Sequence, residues 1–141
     1  EVECAIGSKL VERVDEINKK RRQRAIEFID ALDDCPELSF HREASERHVY
    51  HLLVAKIVEG MRDVFIDRMA RFHKIQCVVQ YYPLNRYPFY QKLGFGDANC
   101  PNADNFFDNM VSFPFHLSLS DLDLKRIEEA SRETICFLRS Q

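Results

Sequence analysis

The chain has 141 residues, of which 45% are hydrophobic and 30% charged, with a formal net charge of −3. This composition predicts one globular domain with a real core and excludes an intrinsically disordered chain. The small negative charge argues against a general attraction to nucleic acid or acidic membranes, and no apolar run approaches the roughly 18 residues of a membrane-spanning helix.

The cysteine pattern indicates a reducing compartment. The five cysteines are widely separated and never form a C-x-x-C pair: Cys4, Cys35, Cys77, Cys100 and Cys136. An odd, scattered set favours reduced thiols over a disulfide framework or a zinc site. Because the start of the chain also has no signal-peptide pattern, we expect a cytoplasmic protein.

The first thirty residues have the apolar spacing of a helix. The residues that carry it are Ile6, Leu10, Val14 and Ile17. We predict one long helix over 3–33, or two helices joined near Gly7, ended by Pro36 because the residue before a proline disfavours the helical region. No Ser, Thr, Asp or Asn precedes the helix as an N-cap, so we expect the chain to be either a part of a longer protein or one that has lost a tag or its initiator Met.

Two apolar segments in the middle of the chain predict strands. Residues 48–58, HVYHLLVAKIV, are β-branched and apolar on both faces, as in a buried strand. Residues 75–82, IQCVVQYY, alternate between the two faces. The segment 59–74 between them, EGMRDVFIDRMARFHK, has apolar residues at helical spacing and predicts a helix.

The last third of the chain predicts a short helix, a short strand and a long helix. The short helix is CPNADNFFDNM, and 111–115 is a brief edge strand because Pro114 cannot donate to a ladder. Ser120 and Asp123 form a helix start signal before a helix that runs through Leu138. The predicted fold class is α+β, with a small, mostly antiparallel sheet of about three strands packed with helices and a long N-terminal helix.

The densest basic cluster, KKRRQR at 19–24, admits two interpretations. It could contact the phosphates of a nucleic acid. On a helix, however, its residues spread over every face, and acidic residues flank them on both sides. We therefore favour a solvated helix surface with i,i+4 ion pairs.

Metal-binding and nucleophilic chemistry have weak support. His48 and His51 lie three residues apart on a predicted strand, where they point to opposite faces and cannot share one ion. No P-loop, G-x-G-x-x-G or G-x-S-x-G motif is present. Cys77 and Cys100 have no neighbouring histidine in the sequence that would activate a thiol.

The loop 80–96, QYYPLNRYPFYQKLGFG, contains six aromatic residues. In one interpretation, the rings pack onto the sheet and cover its edge. In the other, the loop is a binding segment, because Gln80, Tyr81, Asn85 and Arg86 follow directly from a buried strand and such strand ends favour ligand contacts. Tyrosine and arginine suit sugars and nucleotides, but the residues alone leave both interpretations open.

Four segments in order resemble the C-terminal domain of the sugar-nucleotide aminotransferases, often called the DegT/StrS family. They are ECAIGSKLVERVDEINKKRRQRA, YHLLVAKI, VVQYYPLNRYPFYQKLGFG and MVSFPFHLSLSDLDLKRI. Members of this family are pyridoxal-phosphate enzymes of the aspartate-aminotransferase fold, fold type I. The resemblance implies that residues 1–141 are the small domain of such an enzyme.

The family's cofactor chemistry implies that this chain is incomplete. A separate large domain carries the lysine that forms the Schiff base and the aspartate that pairs with the pyridine nitrogen. None of the seven lysines of this chain lies in the family's cofactor-lysine context. The resemblance therefore implies no cofactor in this chain, no activity of the chain alone, and a parent homodimer that aminates nucleotide-linked keto-sugars for bacterial surface polysaccharides.

The resemblance also assigns substrate-binding residues by position. His51 matches a strand histidine, Gln80 and Tyr81 match a His-Tyr pair, and Asn85 stands where many members have another histidine. Gln and Asn keep hydrogen bonding but do not titrate, so we expect them, with Arg86, to position the substrate. The aromatic rings would fasten the loop between two domains. The alternative is a non-catalytic binding or scaffold domain.

Overall fold

The computed structural model describes residues 1–42, 45, 47–96 and 98–141. The elements within these residues are, in chain order, α1 (Val2–Val11), α2 (Val14–Ala31), β1 (Leu38–Phe40), β2 (Leu53–Ile57), α3 (Arg62–Arg71), a short 3-10 helix (Leu84–Arg86), α4 (Pro88–Lys92), α5 (Pro101–Asn109), β3 (Met110–Phe113) and α6 (Asp121–Arg139). The predicted α+β class is confirmed.

The sheet has the order β1-β2-β3, and both strand pairs are antiparallel. Leu53 lies opposite Phe113 at one end of β2, and Lys56 lies opposite Met110 at the other. Leu53, Ala55 and Ile57 are buried, whereas the two residues between them are half-buried. This alternation gives the sheet one face toward the main core, as period-two spacing requires.

Aromatic rings from helices and strands form the centre of the core. The Phe28 ring of α2 lies 6.0 Å from that of Phe40 and 5.5 Å from that of Phe113. The Phe65 ring of α3 lies 6.0 Å from that of Phe113. These tilted and edge-on contacts are the geometry that aromatic pairs prefer, and they join α2, α3, β1 and β3 into one core.

Helix α6 begins where the sequence predicts. The Ser120 hydroxyl accepts a hydrogen bond from the Asp123 backbone N–H at 3.1 Å, and the Asp123 carboxylate accepts one from the Ser120 backbone N–H at 2.8 Å. This reciprocal capping box satisfies two donors at the helix start. The helix then buries one stripe of side chains: Leu124, Ile127, Ala130, Ser131, Thr134, Ile135 and Leu138.

The predicted long N-terminal helix is two helices, as the second alternative held, but the break lies elsewhere. Gly7 lies inside α1, and the chain turns at Glu12 and Arg13 instead. The side chains Ala25, Phe28 and Ile29 bury α2 in the core, whereas α1 has no buried residue. Of these two N-terminal helices, only α2 therefore packs in the core.

The predicted strands differ from the observed ones in three places. The predicted strand 48–58 contains β2 but begins five residues too early. The segment 75–82 contributes only one bridge, between Val78 and Ser112. The observed β1 was not predicted, because three residues are too few to show an alternating pattern.

All five cysteines are free thiols. Among the described residues, no helix combines the length and the apolar character needed to cross a bilayer.

Candidate substrate-binding surface

The loop 80–96 leaves the sheet directly after the bridge to β3. The Val78 N–H donates to the Ser112 carbonyl at 3.0 Å, and the Ser112 N–H donates to the Val78 carbonyl at 2.8 Å. Because this pair is antiparallel, Gln80 lies at the Met110 end of β3. Gln80 is half-buried, and Tyr81 is 70% exposed.

The aromatic side chains of the loop pack mainly against each other. The Tyr82 ring lies 5.0 Å from that of Tyr87, and the Phe89 and Tyr90 rings are 5.4 Å apart. Five of the six rings stay exposed: Tyr81, Tyr82, Tyr87, Phe89 and Phe95. The loop thus presents most of its rings at the surface, and the interpretation in which they pack onto the sheet and cover its edge is wrong for these five.

A charged cluster, here called the Arg86 clamp, joins this loop to α5. It consists of Arg86, Asp104, Phe107 and Asp108. Arg86 donates from Nη1 and Nη2 to the two oxygens of Asp108, at 2.7 and 3.1 Å, and its Nε lies 2.7 Å from Asp104 Oδ1. The guanidinium lies 5.6 Å from the centre of the Phe107 ring. Bidentate arginine–carboxylate pairs of this kind fix relative orientation.

The position of α5 is itself fixed by side chains from the sheet and from α3. Lys56 Nζ of β2 donates to Asn105 Oδ1 at 2.6 Å, and Arg62 Nη1 of α3 donates to the Phe107 carbonyl at 2.8 Å. The Asn85 side chain donates to the Ala98 carbonyl at 3.2 Å. The loop is therefore linked through α5 to the rest of the domain.

His51 lies at the opposite end of the sheet from Gln80. It is exposed and stands two residues before Leu53, which pairs with Phe113. Gln80 follows the Val78–Ser112 bridge toward Met110, whereas His51 precedes β2 beyond the Leu53–Phe113 pair, so the two residues leave the sheet in opposite directions. The structure therefore brings Gln80, Tyr81, Asn85 and Arg86 together in one loop and places His51 apart from them.

The backbone before β2 is held by Arg21 of α2. Arg21 Nη2 donates to the carbonyls of Tyr50 at 2.7 Å and His51 at 2.9 Å, and Nε donates to that of Val49 at 3.3 Å. Tyr50 has a φ of +47°, a left-handed conformation that is unfavourable for a bulky residue. The Arg21 contacts explain how the chain keeps this conformation.

The basic cluster 19–24 is only partly a solvated surface. Lys20 pairs with Glu16 at 2.6 Å, as predicted for an i,i+4 pair. Arg24, however, donates to the carbonyls of Leu117 and Leu119 and to Asp121. Arg21 and Arg22 also donate to loop carbonyls, Arg22 Nε to that of His48 at 3.4 Å. The favoured interpretation of a solvated face is therefore wrong for these three arginines.

No metal site emerges from the described residues, and the buried Cys77 is unsuited to act as a nucleophile. They contain no group of three or more His, Cys, Asp or Glu side chains arranged to hold a metal ion. His48 and His51 precede β2 rather than lying within it, so the opposite-face argument does not apply to them. Burial raises the pKa of the Cys77 thiol to about 12, so it stays protonated and is a poor nucleophile.

Sequence reasoning missed Asp104 and Asp108, which hold Arg86 in place. Their i,i+4 spacing on the predicted short helix puts both carboxylates on one helix face. That spacing was available from the sequence, but the identity of the partner was not, because Arg86 lies 18 and 22 residues upstream.

Comparison with known proteins gives matches along almost the whole chain. The model of the DegT/DnrJ/EryC1/StrS aminotransferase family matches residues 1–132. The spore coat polysaccharide biosynthesis protein SpsC of Bacillus subtilis (strain 168) is 29% identical over 143 residues, which cover 96% of this chain and 36% of that protein. A UDP-4-amino-4,6-dideoxy-N-acetyl-beta-L-altrosamine transaminase of Campylobacter jejuni is 26% identical over 92% of this chain and 35% of its own length.

Solved structures share the fold. A putative sugar aminotransferase, Spr1654 from Streptococcus pneumoniae in its PMP form, has a TM-score of 0.81 at 23% identity and covers 93% of this chain. Helicobacter pylori PseC, an aminotransferase involved in the biosynthesis of pseudoaminic acid, has a TM-score of 0.80 at 20% identity over 94% of this chain. The match covers 34% and 36% of those two chains, so this chain spans about a third of the length of its relatives.

Proposed function

Because this chain belongs to the DegT/DnrJ/EryC1/StrS aminotransferase family, we propose that it forms the C-terminal, small domain of a pyridoxal-phosphate-dependent aminotransferase. The substrate class is a nucleotide-linked keto-sugar, and the domain closes the active site and contributes substrate contacts. The observation that carries this proposal is the family match over residues 1–132, in a fold shared with sugar aminotransferases about three times as long.

The lysines of this chain do not fit the cofactor. Six of the seven are exposed, and the seventh, Lys56, donates its Nζ hydrogen bond to Asn105. A Schiff-base lysine needs a desolvated or cationic surrounding that lowers its pKa, so that the free amine attacks the aldehyde. We therefore propose that the cofactor lysine lies outside residues 1–141 and assign no step of the reaction to this chain through the cofactor.

We propose the loop residues Gln80, Tyr81 and Asn85, together with His51, as the substrate-contacting set. Arg86, which the resemblance also assigned to this set, is paired with Asp104 and Asp108, and a different role is proposed for it below. The exposure of Tyr81 and the polar groups beside it support a surface that meets a hydroxyl-rich ligand. A nucleotide-linked sugar is elongated, with sugar, diphosphate and nucleoside in series. Different parts of one ligand can therefore reach the two ends of the sheet.

We also propose that the full-length protein is a cytoplasmic homodimer. Five free thiols are consistent with a reducing compartment. Exposed apolar residues on α1, and exposed rings of the loop 80–96, leave large apolar surfaces uncovered in the isolated domain, and such surfaces usually mark interfaces. The rest of the polypeptide and a second subunit are the covering partners that we propose.

The test is an aminotransferase assay on the complete natural polypeptide. We expect it, with added pyridoxal phosphate and an amino-acid donor, to convert UDP- or dTDP-linked 4-keto sugars to amino sugars, measured by mass spectrometry of the product. The chain 1–141 alone is expected to be inactive and to give no aldimine absorbance that depends on one lysine.

Two results would overturn the proposal. One is a lysine within residues 1–141 whose substitution abolishes a specific aldimine absorbance. The other is a complete natural polypeptide that contains no lysine-bearing cofactor domain, which would favour a non-catalytic binding or scaffold role.

A further inference from the structure

We propose that Arg86 is a positioning residue, which holds the loop 80–96 against α5 and does not itself bind the substrate. In this arrangement the Arg86 clamp keeps Gln80, Tyr81 and Asn85 in a fixed orientation before the substrate arrives. The identity of the ligand that the loop binds rests on the proposed function. The role of the clamp in holding the loop against α5 does not depend on that function.

The electrostatics of the clamp argue against direct substrate binding by Arg86. One guanidinium faces two carboxylates, Asp104 and Asp108, so the three charges sum to −1. The nearby Arg62 is paired with Asp63 at 2.8 Å. A phosphate or carboxylate that approached this cluster would meet net negative charge. The two carboxylates that hold Arg86 in place therefore also cancel its electrostatic attraction for an anionic ligand.

The loop has few other features that fix its position. Neither the 3-10 helix nor α4 contains a buried residue. Burial of apolar side chains is what normally orders a segment, and a segment without it opens at low free-energy cost. Beyond the clamp, the described contacts from the loop to its surroundings include the Asn85–Ala98 hydrogen bond and the Tyr82 ring, 5.3 Å from that of Phe107.

Two of the proposed binding residues, Asn85 and Tyr81, lie close to the clamp along the chain. Asn85 is the immediate neighbour of Arg86. Tyr81 precedes Tyr82, whose ring packs on the Phe107 ring that the Arg86 guanidinium also faces. Loss of the clamp would let these residues sample more conformations, and the substrate would then have to order them. This cost weakens binding and raises KM, while the chemical step is little changed.

The test uses Arg86→Gln in the full-length protein. We expect backbone amides in 80–96 to exchange hydrogen about three to ten times faster, the range for losing a partly exposed bidentate pair. KM for the nucleotide sugar should rise by a similar factor with kcat little changed. The matched control is Arg139→Gln, since Arg139 makes a bidentate pair with Glu37, at 2.6 and 2.8 Å, and this pair includes no residue of the loop or of α5. It should leave exchange in the loop unchanged.

A charge-swapped double variant separates positioning from contact. Arg86→Asp combined with Asp108→Arg puts the guanidinium on α5, one turn from Asp104 and opposite the new carboxylate. We expect it to restore both loop protection and KM. Unchanged exchange in Arg86→Gln would overturn the clamp, and a restored loop with an unrestored KM would show direct contact instead. If the wild-type protein aminates no nucleotide-linked keto-sugar, the proposed function fails, and the exchange rates still decide the clamp.

Discussion

At the scale of single residues, the pairing of Asp108 makes the loop sensitive to acid. Hydrogen bonds from Arg86 hold the pKa of the Asp108 carboxyl below its usual range. A carboxyl whose pKa is lower in the folded than in the unfolded state stabilises the fold above the unfolded value of about 3.9. That stability is lost as the pH falls through the folded pKa. We therefore expect the clamp to be intact at neutral pH and to open in acid.

We predict that the near-UV circular dichroism of the loop tyrosines is constant from about pH 7 to 5 and changes below about pH 4. In Asp108→Asn the near-UV signal should already be altered at neutral pH. An acid transition identical in this variant and the wild type would show that Asp108 does not carry it.

At the scale of elements, α2 organises the chain through its arginines. Arg21 donates hydrogen bonds to three backbone carbonyls before β2, and its guanidinium lies 5.0 Å from the centre of the Phe115 ring. We predict that Arg21→Gln lowers the free energy of unfolding by about 2 kcal/mol, because charged hydrogen bonds to partly buried carbonyls are lost and Tyr50 keeps its unfavourable φ. Urea denaturation measures this loss.

The matched control for this prediction lies two residues earlier on the same helix. Lys19 is exposed and has no hydrogen-bond or ion-pair partner among the described residues, so Lys19→Gln should change the free energy of unfolding by less than about 0.5 kcal/mol. Equal effects of the two substitutions would mean that the Arg21 hydrogen bonds contribute little.

Some elements could be predicted from local sequence patterns, and others could not. Helix α6 was predictable because its start signal, Ser120 and Asp123, is local and its apolar stripe is long. The segment 75–82 was predicted as a strand because its apolar residues alternate, and this alternation reflects the burial of Ile75 and Cys77. An extended segment buries alternate side chains whether or not a neighbouring strand pairs with it. The partners of Arg86 and Arg21 are distant in sequence, so no local pattern reports them.

At the scale of the whole molecule, the domain divides into a packed body and an uncovered N-terminal helix. Helix α1 contains no buried residue, although Val2, Ile6 and Leu10 form an apolar stripe along it. Apolar area contributes to stability only when it leaves water. In the isolated chain, α1 therefore adds little to stability and offers a surface for association.

We predict that deleting residues 1–12 from the isolated chain changes its free energy of unfolding by less than about 1 kcal/mol, since no buried contact is lost. Self-association, measured by sedimentation velocity, should decrease because the apolar stripe is removed. As the control, deleting 138–141 removes the buried Leu138 and the Arg139–Glu37 pair and should cost about 2–4 kcal/mol. If deletion of α1 destabilises the chain as much as this control, then α1 packs on the body in solution, and its exposed stripe is not available to a partner.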